Sequence, residues 1–210
     1  MPDLLGDAFY QWPYYACLGL AYLLGSIPFG LILTRLAGLG DIRKVGSGNI
    51  GATNVLRTGN KLIALAVLLL DAGKGALAVL LAWQYGPDMA VFAAAGAVIG
   101  HCFPIWLKFR GGKAVATFLG AMLGLSLIAG AAACATWLAV AALSRKSSVA
   151  GMGAALSAPV WLYLLDGPRA VLCAAVLALW VVLRHHANIH RLIAGTEPRI
   201  GGRSGDAGDS

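Results

Sequence analysis

The chain has 210 residues and a mass of 21.6 kDa, a length that would suit one ordinary soluble domain. Its composition excludes such a domain, because 59% of the residues are hydrophobic, only 12% are charged and the mean hydropathy is +0.77. The same composition excludes a disordered chain and a disulfide scaffold. The sequence therefore predicts a membrane protein, and its formal net charge of +7 makes the position of the basic residues informative.

Six apolar runs follow one another along the chain and are candidates for membrane-spanning helices, which need about 20 residues each. They are residues 14–34, 62–83, 89–107, 114–143, 149–165 and 170–183. The fourth run is 30 residues long and has Gly124 and Gly130 near its middle. It is therefore either one tilted helix or a tight hairpin of two short helices.

The basic residues favour the hairpin, because loops beside membrane helices carry Lys and Arg on the cytoplasmic side. Fourteen of the 16 basic residues lie in four stretches, 35–61, 108–113, 145–146 and 184–203. If all four are cytoplasmic, the fourth run must cross and return. We predict an all-α integral membrane protein of about seven transmembrane helices, several of them short, with the N-terminus outside; five to six crossings are the alternative.

One multi-pass domain is expected over residues 1–200. The Gly-, Ser- and Asp-rich residues 201–210 are expected to form a disordered polar tail.

The first basic stretch has the composition of a phosphate-binding loop. Its glycines let the backbone approach a ligand, and its amides, hydroxyls and cations are typical phosphate partners. These residues are Gly46, Gly48, Gly51, Gly59, Ser47, Asn49, Thr53, Asn54, Arg43, Lys44, Arg57 and Lys61. A charged, glycine-rich turn between two helices is the alternative interpretation.

The second and third stretches are shorter. Gly111, Gly112 and Lys113 precede a predicted helix, so backbone amides, the helix N-terminus and a cation coincide there. Ser147 and Ser148 follow two basic residues, and their alternative role is a helix cap.

The fourth stretch spaces Arg184, His185, Asn188 and Arg191 so that they can share one helix face. That face could complete an anion-binding pocket or lie along lipid headgroups. No metal site is expected, because the nearby histidines have no carboxylate or cysteine partners.

Asp71 and Lys74 are charged residues inside a predicted span. A charge there is costly unless it is paired or lines a polar cavity. Because they are three residues apart they can form an ion pair; bordering the active site is the alternative.

With these stretches identified, the chain resembles the bacterial acyl-phosphate-dependent glycerol-3-phosphate acyltransferases, the PlsY family. The resemblance rests on an ordered set of motifs that covers nearly the whole chain. They are GSIPFG (25–30), GSGNIGATNVLR (46–57), DAGKG (71–75), GHCFPIWLKFRGGKAVAT (100–117), the serine pair 147–148, RHHANIHRL (184–192) and GTE, which ends at Glu197.

The resemblance implies a seven-helix membrane enzyme that transfers a fatty acyl group from acyl phosphate to the 1-hydroxyl of glycerol 3-phosphate, giving lysophosphatidic acid and phosphate. The catalytic residues that it implies are Ser47, Arg57, Lys113, Ser148, His185 and Asn188, with Ser147 as an alternative to Ser148. The phosphate-binding residues are Arg43, Gly48, Asn49, Gly51, Asn54, Gly111 and Gly112, and the structural ones are Asp71, Lys74 and Glu197.

The resemblance also implies a bacterial inner membrane location, a cytoplasmic active site and a soluble partner that makes acyl phosphate. Neither a cofactor nor a nucleic-acid partner is expected. Acyl phosphate is already activated, so either the leaving phosphate or His185 is expected to take the hydroxyl proton. A membrane transporter of an organic phosphate is the alternative function. The clustering of polar residues at the loops argues against it, since a transporter would distribute them through the bilayer depth.

Overall fold

The structure, a computed structural model, describes residues 8–200, with side chains from residue 11. Over this range the chain folds into α-helices joined by loops and two short 3-10 helices, with no strand. The α-helices are α1 (Ala8–Gly25), α2 (Phe29–Leu36), α3 (Ala52–Leu56), α4 (Lys61–Trp83), α5 (Pro87–Cys102), α6 (Val115–Leu125), α7 (Leu127–Ser144), α8 (Ser147–Asp166), α9 (Val171–Arg184) and α10 (His186–Ile193). The predicted side of the N-terminus and the predicted disordered tail fall outside the described residues.

The first predicted run is not one continuous helix. Helix α1 ends at Gly25, and α2 begins at Phe29 after a short break. Pro28 causes this break, because proline lacks a backbone N–H and disfavours helical geometry in the residue before it. The break turns a carbonyl inward, since Ile27 O accepts a hydrogen bond from the ammonium group of Lys74 at 2.8 Å.

The fourth predicted run is a hairpin, as the charge distribution predicts. Ser126 separates α6 from α7 with an extended backbone (φ −149°, ψ 113°), and its side chain caps α7 by accepting from the backbone N–H of Ala129. Gly130 allows the tight return, because a Cβ there would lie 2.4 Å from the backbone nitrogen of Leu123. A single long tilted helix is therefore the wrong alternative.

Five helical segments of the described chain are long and apolar enough to cross a membrane. They are Gln11–Leu36, Lys61–Trp83, Pro87–Leu107, Leu127–Ser144 and Ser147–Asp166. A sixth crossing is possible if α9 and α10, which meet at a bend of 58°, form one span. Helix α6 has 11 residues, about 16 Å, so it covers roughly half of a 30 Å hydrocarbon core. The count of seven and its sidedness remain predictions.

The helices pack through small residues and expose large ones. Gly100 of α5 lies so close to α1 that a Cβ there would be 2.2 Å from Tyr22 O. Gly120 of α6 lies equally close to α4, because a Cβ there would be 1.9 Å from Ala72 O. The outer surface carries exposed leucines such as Leu143 and Leu172, at 87% and 73%. Small residues inside and large apolar residues outside are typical of a helical bundle whose solvent is lipid.

Candidate active site

One cavity of about 370 Å³ receives residues from all four basic stretches. Its polar end includes Ser47 and Arg57 from the first, Lys113 from the second, Ser148 from the third and His185 from the fourth. These residues come from loops and helix ends that are far apart in sequence. The four stretches therefore form a single site.

Asn54 organises the first loop. Its side-chain amide group donates to Ile42 O, Val45 O and Asn49 O at 2.8–3.0 Å. Its Oδ1 accepts from the backbone N–H of Ser47 at 3.1 Å. With both polar atoms engaged by the protein, buried Asn54 holds the loop in shape, which favours a positioning role over the predicted phosphate binding.

Gly46 and Arg57 pack against this asparagine. Gly46 has a φ of +52°, and a Cβ there would lie 2.7 Å from Asn54 Oδ1 and 2.9 Å from Arg57 Cδ, so only glycine fits both the backbone and the space. Arg57 Nη1 donates to Asn54 Oδ1 at 3.3 Å. Asn54 therefore orients the half-buried guanidinium of Arg57, which lines the cavity.

The two glycines of the second stretch do not offer their amides to the cavity. The N–H of Gly111 donates to Cys102 O and that of Gly112 donates to His101 O, both at 3.1 Å. Their carbonyls accept from the guanidinium of Arg184 at 3.1 and 3.2 Å. These amides already pair with the end of α5, so the structure does not support the predicted phosphate contact through them. The glycines instead fix the position of Lys113.

Lys113 begins a chain of polar contacts across the site. Its ammonium donates to Asn188 Oδ1. Asn188 Nδ2 in turn donates to Glu197 Oε1 at 2.6 Å, and Arg191 Nε donates to Glu197 Oε2 at 2.8 Å. Burial lowers the pKa of Lys113 to about 8, and the charges of Arg191 and Arg57 act in the same direction, whereas Glu197 opposes them. Lys113 thus titrates close to neutral pH.

Glu197 is the acid of this cationic site. Burial acts to raise the pKa of its carboxyl, but the hydrogen bonds from Ser148, Asn188 and Arg191 outweigh burial and leave the pKa below its usual value. The side chain is therefore ionised at neutral pH. It ties α10 to the segment that follows, which agrees with the structural role predicted for it.

His185 lies at the bend between α9 and α10. Its Nδ1 is 2.7 Å from Val181 O, and because a carbonyl only accepts, Nδ1 carries the proton and Nε2 keeps its lone pair. A buried imidazole in this tautomer can accept a proton at Nε2. His185 and Asn188 line the cavity, while Arg184 turns to the glycine carbonyls, so the four polar residues of this stretch flank a bend rather than share one helix face.

Ser148 is buried at 3% exposure, and its hydroxyl lies beside the carboxylate of Glu197, whose pKa it helps to lower. It lines the cavity beside Ser147. The alternative of a helix cap is wrong, because Lys146 occupies the N-cap position of α8 and no side chain caps this helix. The hydroxyl therefore lies between Glu197 and the cavity.

Asp71 and Lys74 form the predicted ion pair, with 2.7 Å between Lys74 Nζ and Asp71 Oδ1. The alternative also holds, because Asp71 lines the cavity. Next to the pair, His101 Nδ1 lies 3.7 Å from Asp71 Oδ1 and 3.2 Å from the Thr117 hydroxyl. Helices α4, α5 and α6 thus meet in a buried polar group at the base of the site.

The other end of the cavity is apolar and extends between α4, α6 and α7. The side chains that line it are Leu68, Val115, Leu119, Leu123, Trp137 and Leu138. Leu68 and Leu138 are also exposed on the outside of the bundle, at 45% and 64%. The site therefore joins a cationic pocket to a groove at the lipid-facing surface.

Most of the predicted site residues line this one cavity: Ser47, Asn49, Gly51, Asn54, Arg57, Asp71, Lys113, Ser148, His185, Asn188 and Glu197. Four predicted phosphate-binding residues lie away from its lining, namely Arg43, Gly48, Gly111 and Gly112. The exposed guanidinium of Arg43 is bound to Asp41, with a closest contact of 2.6 Å. Lys74 also lies outside the lining, behind Asp71.

Sequence reasoning missed the place of His101 and Thr117 in the site. Each is an isolated polar residue in an apolar helix, and only their positions on either side of the GGK loop link them. The sequence also does not distinguish the leucine and tryptophan side chains that line the groove, because they belong to the same apolar runs as the residues that face lipid.

Fold and site define a multi-pass integral membrane protein with a cationic pocket that opens to an apolar groove. The family model for glycerol-3-phosphate acyltransferase matches residues 15–195. A glycerol-3-phosphate acyltransferase of Cereibacter sphaeroides is 57% identical over 183 residues, 87% of each chain.

Two crystal structures of PlsY (YgiH), an integral membrane glycerol 3-phosphate acyltransferase, also match. The glycerol 3-phosphate form has a TM-score of 0.85 at 37% identity, and the lysophosphatidic acid form 0.83 at 36%. Each comparison covers 90% of this chain and 96% of the other. The chain belongs to the glycerol-3-phosphate acyltransferase family. It is therefore a membrane-bound acyltransferase and not a transporter of an organic phosphate.

Proposed function

We propose that this enzyme transfers a fatty acyl group from acyl phosphate to the 1-hydroxyl of glycerol 3-phosphate, releasing lysophosphatidic acid and inorganic phosphate. The observation that carries the proposal is the joined cavity, in which a cationic pocket continues into an apolar groove at the lipid-facing surface. One substrate is a small polar anion and the other has an anionic head and an apolar tail. A cavity with these two ends fits both.

The polar end has enough positive charge for two phosphate groups. Arg57 and Lys113 line it, and Arg184 and Arg191 flank it, against the carboxylate of Glu197. The other carboxylate of the lining, Asp71, is already paired with Lys74. Arginine offers paired planar donors to phosphate, whereas lysine acts as a point charge. We assign Arg57 and Lys113 to the substrate phosphates, with Ser47, Asn49 and the backbone around Gly51 as further contacts.

The acyl chain lies in the apolar groove between α4, α6 and α7. Because the groove reaches side chains on the outside of the bundle, a chain could enter from the bilayer without leaving an apolar environment. Burying its methylene groups contributes about 0.8 kcal/mol each, although a chain already in lipid gains much less than this. The groove therefore serves mainly to orient the acyl carbonyl toward the polar end.

The contacts of the serines favour direct transfer over an acyl-enzyme. In the described part of the chain neither Ser47 nor Ser148 is hydrogen-bonded to a histidine ring, the arrangement that activates a serine nucleophile. Phosphate is already a good leaving group, so positioning and charge neutralisation supply most of the catalysis. Ser148 is then a hydrogen-bond donor to substrate and not a nucleophile.

In this mechanism the glycerol hydroxyl attacks the acyl carbonyl while its proton passes to His185 Nε2 or to the phosphate of the donor. The bond between the acyl carbon and phosphate oxygen then breaks, and Lys113 and Arg57 stabilise the charge on the leaving phosphate. Asn188 holds Lys113 in place, and Glu197 holds Asn188. Both are positioning residues here.

The same proposal puts the enzyme in the bacterial inner membrane with its active site facing the cytoplasm. The basic residues support it, because the cavity is built from the stretches that the positive-inside rule assigns to that side. A soluble enzyme that makes acyl phosphate would then be a functional partner.

The donor can be tested directly with purified enzyme and labelled glycerol 3-phosphate. We expect labelled lysophosphatidic acid when acyl phosphate is supplied, together with one equivalent of inorganic phosphate per product. Matched assays replace the donor with acyl-CoA. Product from acyl-CoA and none from acyl phosphate would defeat the donor assignment and leave the acyltransferase class intact.

Direct transfer is tested by a search for a covalent intermediate. Wild-type enzyme is incubated with acyl phosphate alone, digested and examined by mass spectrometry, beside Ser47→Ala and Ser148→Ala. We expect no acylated serine in the wild type and reduced but measurable activity in Ser148→Ala, because a hydrogen bond and not a nucleophile is lost. An acyl ester on either serine would contradict the mechanism.

A further inference from the structure

The buried polar group of Asp71, His101 and Thr117 presents one unused nitrogen to the site. Thr117 and Asp71 both lie near Nδ1 of His101. Within residues 8–200, no group forms a hydrogen bond with Nε2 of this ring. His101 is nevertheless only 5% exposed, and it lines the cavity. Such a nitrogen at the wall of a cavity is an available ligand contact.

Asp71 sets the tautomer of the ring. Its carboxylate is 3.7 Å from Nδ1, which favours the proton on that nitrogen, and Nδ1–H can then donate to the hydroxyl of Thr117 at 3.2 Å. Lys74 already pairs with the same carboxylate at 2.7 Å, so the cluster does not need a second positive charge on the imidazole. A neutral ring protonated at Nδ1 leaves a lone pair on Nε2.

Gly112 lets the ring of His101 pack directly against the backbone before Lys113. A Cβ at this position would lie only 2.2 Å from His101 Nε2 and 3.3 Å from Asn49 Oδ1, so any side chain would displace the ring. Nε2 and the amide of Asn49 thus lie on the same side of Gly112, and both residues line the cavity.

A lone pair on Nε2 accepts a hydrogen bond from a neutral O–H and repels the oxygens of a phosphate dianion. The amide of Asn49 adds a second polar contact at the same place. The part of glycerol 3-phosphate that matches this chemistry is a glycerol hydroxyl, while the phosphate belongs with the cations nearby. The dianion of an alkyl phosphate without hydroxyls has no O–H that could donate to this nitrogen.

We propose that His101, oriented by Asp71 and Thr117, binds a hydroxyl of the glycerol moiety through Nε2 and so selects a polyol phosphate over other small phosphates. This inference rests on glycerol 3-phosphate being the acyl acceptor and is independent of the donor. It adds His101 to the substrate-binding residues, with Asp71 and Thr117 as positioning residues.

Calorimetric titration of the purified enzyme in detergent, without donor, tests the proposal with two ligands. Glycerol 3-phosphate has the hydroxyls, whereas propyl phosphate has the same chain length and phosphate but no hydroxyl. We expect His101→Asn to weaken binding of glycerol 3-phosphate about tenfold, the scale of one hydrogen bond, and to leave the affinity for propyl phosphate within twofold of wild type. His101→Gln, which restores an acceptor near the position of Nε2, should recover most of the loss.

Two threonine variants supply the matched pair. Thr117→Val removes the hydroxyl beside Nδ1 and should weaken glycerol 3-phosphate binding several-fold without affecting propyl phosphate. Thr136→Val removes a hydroxyl of similar setting in α7, where it is bonded to Trp161, and should change neither affinity. Titration with 3-hydroxypropyl phosphate, which keeps only the terminal hydroxyl, then assigns the contact to one of the two hydroxyls.

Equal losses for both ligands in His101→Asn would overturn the proposal, since His101 would then support the pocket and not the hydroxyl. Unchanged affinity for both would overturn it as well. Thermal unfolding of each variant, with His101→Gln and Thr117→Val as the milder changes, separates either result from loss of fold. Equal affinity of wild type for the two ligands would also overturn it, because the hydroxyls would then contribute nothing to binding. Failure of the acceptor assignment would be a different outcome, seen as no labelled lysophosphatidic acid from glycerol 3-phosphate.

Discussion

The titration of Lys113 predicts how the enzyme responds to pH. Burial lowers the pKa of this lysine to about 8, so in the free enzyme the cation is present below that pH and is lost above it. The protonated fraction falls from about nine-tenths at pH 7 to about one-tenth at pH 9. If Lys113 must be charged to hold phosphate, kcat/KM for glycerol 3-phosphate should fall about tenfold over this range.

The assay measures initial rates at fixed donor concentration from pH 6.5 to 9.5. Lys113→Arg, which stays charged throughout, should be less active at pH 7 because arginine cannot reproduce the contact with Asn188, but its profile should be flat. Lys61→Arg, at the exposed start of α4, is the matched control and should keep the wild-type profile. A flat wild-type profile, or the same alkaline fall in Lys113→Arg, would refute the assignment.

Three further changes test individual contacts of the site. Glu197→Gln removes the negative charge that raises the pKa of Lys113, so the alkaline fall in kcat/KM should move to lower pH. Gly112→Ala introduces a Cβ 2.2 Å from Nε2 of His101, and because that ring is held in place we expect activity to fall at least tenfold, measured with glycerol 3-phosphate. Asn54→Ala deletes the two N–H donors that three loop carbonyls share, together with the oxygen that accepts from the Ser47 amide. This change should lower the free energy of unfolding by about 3 kcal/mol in a detergent denaturation assay.

Each of these changes has a control within the chain. Gly73→Ala adds a Cβ to α4 with no atom within 4 Å and should leave activity unchanged. Asn60→Ala removes only the cap bond to the backbone N–H of Ile63, so it should cost about 1 kcal/mol. An unshifted pH profile in Glu197→Gln, full activity in Gly112→Ala, or equal costs for the two asparagine variants would contradict the corresponding contact.

Local features of the structure follow directly from the residues. The break between α1 and α2 is a property of Pro28, and the turn at Ser126 follows from a residue that caps helices. The apolar run at residues 14–34 did not predict the break at Pro28, because hydropathy depends only on how apolar each residue is. It takes no account of the backbone N–H that proline lacks. The hairpin was predicted correctly because charge on both flanks of the run constrains the path of the chain.

Part of the site could likewise be predicted from the sequence, and part of it depends on the tertiary structure. Composition and charge placement are properties of the sequence, so the membrane class and the four basic stretches that meet at the cavity could be predicted from it, and the motif resemblance adds the residues that line the cavity. Tertiary structure alone decided which polar atoms remain available. It pairs the amides of Gly111 and Gly112 with the end of α5, commits Asn54 to its own loop, and brings His101 beside Gly112. Hydrogen-bond partners distant in sequence determine whether a donor is free for a ligand, and residue type cannot reveal them.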